Sequence, residues 1–186
     1  MANLSDFLPA AGGGGGGIPK YQEFTTSGTF TPTQALIDAG GRISYMIVAG
    51  GNSTTNLYYG GSGGEVILGY ATLTSTNGCA VIIGAGGSPF STAGTNSSVS
   101  FSAAGGTDIT AVSNGLKASN SWAAGASDNN TGYAASAGNG VFGYGAGGGR
   151  RSTAGGGILN GKANTGQGSI RDLAAGSGFV RITWFE

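Results

Sequence analysis

The sequence predicts an all-β protein, a small antiparallel β-sandwich that carries long glycine-rich loops. Short runs rich in Val, Ile, Tyr, Phe and Thr recur along the chain, and these residues favour β-strands. Glycine accounts for 41 of the 186 residues, about three times its usual share. Hydrophobic residues reach 39% and charged residues only 9%, a balance that argues against disorder of the highly charged type. Folding so many glycines costs backbone entropy, and packing in a homo-oligomer would offset that cost.

Two strands near the middle of the chain are predicted to form a hairpin. Glu65–Thr74 and Cys79–Ile83 have strand-like composition, and Asn77-Gly78 between them is typical of a type I′ turn. Apolar side chains alternate onto both faces of both arms, and such strands are normally covered on both sides. We therefore expect another sheet, a neighbouring subunit or glycine-rich coil to lie against the second face.

The chain before this hairpin contains two further predicted strands and one helical turn. Tyr21–Phe30 is the first strand, with a bulge or bend expected at Gly28. A single helical turn is predicted over Ala35–Ala39, ended by Gly40. Arg42–Ala49 is a nearly all-apolar strand, which indicates a position inside a sheet.

Three more strands are predicted after the hairpin. Ser97–Ala103 alternates apolar residues with serines, the pattern of a half-buried antiparallel strand, and Asp108–Val112 is a shorter strand. Gly178–Glu186 closes the chain as an apolar strand, which we expect to pair inside the sheet beside the early strands because an exposed apolar edge invites aggregation. Cys79, the single cysteine, is interpreted as a small buried hydrophobe, and an intramolecular disulfide is excluded.

Residues 113–177 lack any strand or helix period. They consist of Gly, Ala, Ser and Asn with isolated large side chains. Long ordered loops and glycine helices of the polyproline II type are both consistent with this composition, although a strict triplet period is absent. We favour ordered loops packed by the scattered aromatic residues, with some local polyproline II.

The N-terminus differs in composition from the rest and divides the chain into two parts. Residues 1–19 form a docking peptide and a glycine tether, and residues 20–186 form the glycine-rich β domain. The six glycines at 12–17 would span about 13 Å as a flexible chain. The docking candidates in the apolar peptide are Leu4, Asp6, Phe7 and Leu8. The alternative interpretation of this peptide is a frayed terminus.

Charge and residue content exclude several functional classes. Eight basic and eight acidic residues argue against electrostatic binding of nucleic acid or anionic membrane. No signal peptide or membrane-spanning run is visible, so we expect synthesis in a cytoplasm without membrane insertion. The absence of histidine removes the common catalytic triads and imidazole metal sites, and we predict no enzyme activity, catalytic residue, metal or cofactor. The triplet Asn52-Ser53-Thr54 matches a glycosylation site only in its letters.

What remains is a candidate recognition surface of aromatic and arginine side chains in loops. Such residues are favoured in binding sites, and Asn and Ser around aromatic rings suit glycans as well as proteins. The candidates are Tyr58, Tyr59, Trp122, Tyr133, Tyr144, Arg150 and Arg151. The alternative is that the aromatics fill a core that is short of large aliphatic residues, whereas two adjacent arginines cannot both be buried cheaply.

Six short segments follow one another in a characteristic order. They are Phe24–Phe30 (F-x-x-S-G-x-F), Ile43–Gly51 (ending A-G-G), Ser62–Val66 (S-G-G-E-V), Ile82–Gly87 (containing I-G-A-G-G), Ala93–Phe101 (A-G-T-N-S-S-V-S-F) and Gly176–Ile182 (G-S-G-F-V-R-I). This order resembles the glycine-rich domain of bacteriophage tail-fibre and related virion surface proteins, over roughly residues 21–186. Most fibre proteins also carry a long shaft, and this chain has none.

The resemblance implies a virion protein that attaches to a host surface, commonly within a homotrimeric fibre. Residues 2–9 would then dock to other virion proteins, and the β domain would contact a glycan or protein of the host. Two alternatives stay open at this point. One is a head-surface decoration fibre or knob with a structural role, and the other is a self-assembling extracellular matrix-like protein.

Overall fold

The computed structural model describes residues 17–53, 61–90, 93–113, 161–169 and 173–186, together with the backbone of 121–122. Within these ranges the regular secondary structure is mostly β-strand, with one short α-helix and one short 3-10 helix. In chain order the elements are β1 (Pro19–Phe24), β2 (Gly28–Phe30), α1 (Gln34–Asp38), β3 (Arg42–Val48), β4 (Val66–Thr72), β5 (Cys79–Ile82), β6 (Ser97–Val99), a 3-10 helix (Phe101–Ala104), β7 (Ile109–Ala111), β8 (Ser121–Trp122) and β9 (Phe179–Phe185). The prediction of an all-β fold is confirmed.

The strands form two antiparallel sheets. The large sheet has the order β1-β9-β3-β4-β8, and the small sheet has the order β2-β5-β6-β7. The closing strand β9 lies between β1 and β3, so its predicted place beside the early strands is confirmed. Backbone bonds from Ile18 N to Glu186 O (2.6 Å) and from Glu186 N to Ile18 O (3.2 Å) extend the pairing of β1 with β9.

Helix α1 is the single turn that the sequence predicts. The Thr33 hydroxyl caps it by accepting a hydrogen bond from Leu36 N at 3.1 Å. Leu36 is buried and anchors the turn to the core. Gly40 ends the turn with φ +100°, a conformation that glycine adopts without the steric cost of a side chain.

One buried core joins the two sheets. Its side chains come from β1, β3 and β9 of the large sheet and from β2, β5 and β6 of the small sheet. The rings of Phe30 and Trp184 meet edge to face across the sheets, with centroids 5.4 Å apart. Cys79 is fully buried in this core as predicted, and burial raises the pKa of its thiol.

The predicted hairpin of β4 and β5 is wrong. Strand β4 pairs with β3 and β8, whereas β5 pairs with β2 and β6, so the connection crosses from one sheet to the other. Asn77 and Gly78 are not among the described residues with positive φ, which a type I′ turn requires. Instead, Thr74 N donates to Ala104 O (2.8 Å) and Asn77 Nδ2 to Ala103 O (3.1 Å), so the connection is held by the 3-10 helix.

Two other predicted strands are shorter than expected. The segment Tyr21–Phe30 holds the last four residues of β1 and all of β2, and these two strands belong to different sheets. Gly28 begins β2 where a bulge or bend was expected. The segment Ser97–Ala103 is a strand only to Val99. It then turns into the 3-10 helix because Ser102 N finds an acceptor in the Asp108 carboxylate at 2.8 Å.

The large sheet buries apolar side chains on both faces at one end. Val48 lies opposite Val66 and Phe179 in the register, and these three side chains form a second buried cluster with Met46. Gly166 packs closely against this cluster. A Cβ atom added at Gly166 would lie 2.7 Å from Val48 Cγ1. Cover on both faces is thus found at the Val66 end of β4, with Gly166 on the second face. On the other predicted arm, β5 buries only one face, and Ile82 is 53% exposed.

We expect the Glu186 carboxylate to make folding stability depend on acid. Hydrogen bonds from the Thr33 hydroxyl and Trp184 Nε1 (2.8 Å), with Lys20 Nζ 3.6 Å away, lower the pKa of Glu186 from its ordinary value of 4.5. A lowered folded-state pKa means that the contribution is complete above about pH 4.5 and is lost as the pH falls through the folded value.

Urea denaturation at a series of pH values measures this effect. Below about pH 4.5 the free energy of unfolding should fall less steeply in Glu186→Gln than in the wild type, because the amide does not titrate. Asp108 remains as a second source of acid sensitivity in both proteins, since Ser102 N lowers its pKa in the same direction. Equal slopes in the two proteins would contradict the role of Glu186.

Candidate functional site

Six glycine-containing segments meet at one end of the two sheets and bond through their backbones. They are 49–53, 61–65, 84–87, 93–97, 161–169 and 173–178, and together we call them the backbone network. Gly50 N donates to Thr95 O at 3.0 Å, and Gly51 N donates to Gly176 O at 2.9 Å. Gly64 N donates to Gly166 O at 2.8 Å. Segments far apart in the chain are thereby fixed side by side.

Glycine is required in the network because the backbones approach too closely for a side chain. A Cβ atom at Gly50 would lie 2.0 Å from Ala85 O, and one at Gly86 would lie 2.0 Å from Ala175 O. One at Gly168 would lie 2.1 Å from Gly61 O. Real Cβ atoms do not come this close to another backbone, so these glycines serve close approach and not flexibility.

Two buried polar side chains connect the network to the sheets. Ser97 Oγ donates to Val48 O at 2.7 Å and accepts from Gly84 N at 2.9 Å. The Glu65 carboxylate is 2% exposed and accepts from Val112 N at 2.8 Å. A buried polar group is tolerated when it is hydrogen-bonded, and here each bond also fixes the direction of a neighbouring segment.

Asn52 ties four segments together through its side chain and its backbone N–H and C=O groups. Its Nδ2 donates to Ser62 Oγ (2.7 Å) and Ser113 O (2.6 Å), and its Oδ1 accepts from Gly94 N (2.8 Å). Its backbone N donates to Ser62 O (2.9 Å), and its backbone O accepts from Ser169 N (3.0 Å). Asn52, the first residue of the triplet that matches a glycosylation site by its letters, is therefore a structural junction.

Several residues of the network flank residues 54–60, 123–160 and 170–172 in the sequence. Ser53 precedes residues 54–60, and its Oγ donates to Leu173 O (3.1 Å), which follows residues 170–172. Gly61 follows residues 54–60 and Ser169 precedes residues 170–172. Gly61 N donates to Ser169 O at 2.7 Å. Gly161, which follows residues 123–160, donates to Ala174 O at 3.0 Å. We call this part of the molecule the loop end.

The N-terminal segment leaves from the opposite end of the large sheet. Strand β9 begins next to the network, where Gly178 N donates to Gly84 O at 2.8 Å. It ends at Phe185, and Glu186 directly after it bonds to Ile18. Its seven residues span about 23 Å. Residues before Gly17 therefore connect to the domain about one strand length away from the loop end.

Most of the site residues predicted from the sequence lie outside the described residues. This holds for Leu4, Asp6, Phe7 and Leu8 at the N-terminus and for Tyr58, Tyr59, Tyr133, Tyr144, Arg150 and Arg151. Of Trp122 the structure describes the backbone, which pairs with Val66 at the edge of the large sheet. The described residues that flank 54–60 and 123–160 all lie at the loop end.

The structure adds two residues that the sequence analysis does not single out. Phe90 is 60% exposed in the turn after the segment 84–87, with a left-handed backbone at φ +60°. An aromatic residue directly after a proline in a turn region was the available signal. Asn52 is the second added residue. Its hydrogen-bond partners lie far away in the sequence, and no local sequence pattern marks such an asparagine.

Two tyrosines are exposed on the outer face of the large sheet. The register aligns Tyr21, Thr183, Ser44 and Tyr70 in one row across β1, β9, β3 and β4. Tyr21 is 68% and Tyr70 58% exposed. Arg181 is 5.8 Å from the Tyr21 ring centroid and pairs with the Glu23 carboxylate, so the charges at this edge neutralise each other.

Within the described ranges, no three His, Cys, Asp or Glu side chains cluster in a way that could hold a metal ion. In the same part of the chain, no helix combines the length and the hydrophobicity needed to cross a lipid bilayer. Comparison with protein-family models, with curated proteins and with solved structures found no significant match.

Proposed function

We propose that the chain is a non-enzymatic surface protein of a bacteriophage virion, a short fibre or a fibre tip. Residues 2–9 attach it to other virion proteins, residues 12–17 are the tether, and the loop end contacts a glycan or protein on the host surface. The protein is made in the host cytoplasm and is incorporated into the particle there.

The observation that supports this proposal best is the opposite placement of the two ends. The tether joins the domain at Ile18, and the loop end lies about one strand length, roughly 23 Å, away. An attachment protein needs its recognition surface to point away from its anchor. Loops held by a rigid scaffold are also the usual location of binding residues.

The finer architecture is part of the proposal. The shared core between the sheets supports a β-sandwich, and the backbone network supports long ordered glycine-rich loops. Local polyproline II conformation in these loops is a further part of the proposal. We propose that three copies assemble into a fibre. The exposed tyrosine row on the large sheet supplies apolar area that such packing would bury.

Removal of residues 2–17 tests the docking function. The β domain should keep the thermal unfolding temperature of the full chain, because β1 and its pairing with β9 remain in the shortened protein. Particles assembled with the shortened protein should lack it, as measured by immunoblotting of purified particles. A second variant carries Ser in place of Leu4, Phe7 and Leu8. It keeps the tether and removes only the apolar side chains, so particles should lack this protein as well. Normal incorporation of either variant would contradict docking through this peptide.

A further inference from the structure

Asn77-Gly78 is the sequence motif for which the structure does not bear out the predicted tight turn. Both residues are exposed, and they lie in the connection that crosses from β4 in the large sheet to β5 in the small sheet. An asparagine followed by glycine is also a chemically reactive pair, because glycine has no side chain to keep its amide nitrogen away from the preceding carboxamide. The motif therefore carries a chemistry that does not depend on a turn.

The two reacting groups are accessible in the fold. Among the described residues, no hydrogen bond from Gly78 N is found, so no acceptor holds this nitrogen. The described hydrogen bond of the Asn77 side chain, from Nδ2 to Ala103 O at 3.1 Å, is exposed, and water competes for it. Glycine is also required by packing, since a Cβ atom at Gly78 would lie 2.8 Å from Thr29 Cγ2.

The other described asparagines, which are Asn52, Asn96 and Asn164, are each followed by a residue with a side chain. A Cβ atom on the following residue crowds the approach of its nitrogen to the asparagine side chain. The Oδ1 atom of each of these asparagines also accepts a hydrogen bond, at 2.8, 3.0 and 3.0 Å. Asn77 is therefore the described asparagine that the fold leaves most reactive.

We propose that Asn77 is a site of self-modification, at which the chain converts this asparagine into isoaspartate and aspartate with water as the co-reactant. Gly78 N loses its proton to hydroxide and attacks Asn77 Cγ, so that an N–Cγ bond forms, the Cγ–Nδ2 bond breaks and ammonia leaves. The resulting succinimide ring takes up one water molecule. Opening at the side-chain carbonyl gives aspartate, and opening at the main-chain carbonyl gives isoaspartate. The inference does not depend on the proposed attachment function.

The modification should weaken the fold because the connection runs between two buried anchors. Leu73 before it is 1% exposed and Cys79 after it is 0% exposed, and Thr74 N is bonded to Ala104 O at 2.8 Å. Isoaspartate carries the main chain through one additional carbon atom, so the segment between the anchors lengthens. The donor to Ala103 O is lost in the same reaction. We therefore expect modified protein to unfold at a lower temperature.

Incubation of the full-length chain for several days in mildly alkaline buffer tests the proposal. The chymotryptic peptide that contains Asn77 should gain about one dalton, the difference between an amide and a carboxyl group, with isoaspartate as the main product. The peptides that contain Asn52 and Asn96 should keep their mass.

Asn77→Gln, incubated in parallel, is the matched control. Glutamine keeps the amide but has to close a larger ring, so this position should stay unmodified. The Asn-Gly pairs that begin at residues 114, 139 and 160 are the same in both proteins. A lower unfolding temperature of the incubated wild type than of incubated Asn77→Gln therefore reports on position 77 alone.

The other outcomes contradict specific steps. An unchanged Asn77 peptide from the folded protein, with conversion after unfolding in urea, would mean that the fold protects the pair, and the proposal would be wrong. An unchanged peptide under both conditions would exclude the reaction. Aspartate without isoaspartate would indicate direct hydrolysis and rule out attack by Gly78 N. Equal mass gain in the Asn52 or Asn96 peptide would contradict selection by the following residue. Equal unfolding temperatures after full conversion would overturn the predicted loss of stability.

Discussion

Gly50→Ala should destabilise the domain by about 3 kcal/mol or more, because it forces two backbones apart. The added methyl group would lie 2.0 Å from Ala85 O and 2.6 Å from the Ala85 carbonyl carbon. A flexible side chain could move aside, but Ala85 belongs to a backbone segment held by its own hydrogen bond from Thr95 N at 2.9 Å. The free energy of unfolding of ordinary domains is only about 5–15 kcal/mol, so this loss is a large share of it.

Gly28→Ala is the control for this experiment. Gly28 begins β2, and a Cβ atom there meets nothing closer than the Phe24 ring at 3.5 Å, an ordinary contact. Its free energy of unfolding should stay within about 1 kcal/mol of the wild type. Urea denaturation of both variants gives the comparison. A Gly50→Ala variant as stable as Gly28→Ala would mean that the network opens easily and is not a rigid scaffold.

Asn52→Asp should have the second largest effect, a loss of about 3 kcal/mol. The substitution keeps the shape of the side chain and turns the donor at Nδ2 into an oxygen. That oxygen would face Ser113 O, which is now 2.6 Å from Nδ2, and two acceptors repel each other at this distance. The hydrogen bond from Gly94 N to Oδ1 survives, so the loss isolates the donor side of the junction.

Asn77→Asp provides the matched comparison. Asn77 Nδ2 likewise donates to a backbone carbonyl, Ala103 O at 3.1 Å, but in an exposed position where water can replace the bond. Its stability should change by less than about 1 kcal/mol. Lowering the pH should restore part of the stability of Asn52→Asp, since a protonated carboxyl can donate to Ser113 O. Equal effects at both positions would contradict the role of Asn52 as a junction.

Elements whose signal is local could be predicted from the sequence. The runs that form β3 and β9 have apolar, β-branched composition, and Gly40 marks the C-terminal end of α1 within a few residues. The strands with which β4 and β5 each pair could not be predicted in this way. Asn77-Gly78 permits a tight turn, but β2 and β3 supply competing partners, and only long-range packing selects between them.

The candidate site was less accessible to sequence analysis than the strands. The aromatic and arginine candidates were chosen by residue type, and they lie outside the described residues apart from the backbone of Trp122. Phe90 and Asn52 became visible through a backbone angle and through bonds to distant segments. Neither property leaves a periodic pattern in the chain, because each depends on a contact between remote parts of it.

By itself, the sequence determined the β-rich class, the main strands and the burial of Cys79, since residue type and alternation act over a few neighbouring residues. Tertiary structure alone decided how the strands divide into two sheets and which glycines carry the close backbone contacts. A glycine has no side chain to reveal its partner, so the 2.0 Å clearance at Gly50 follows only from where Ala85 comes to lie in the folded chain.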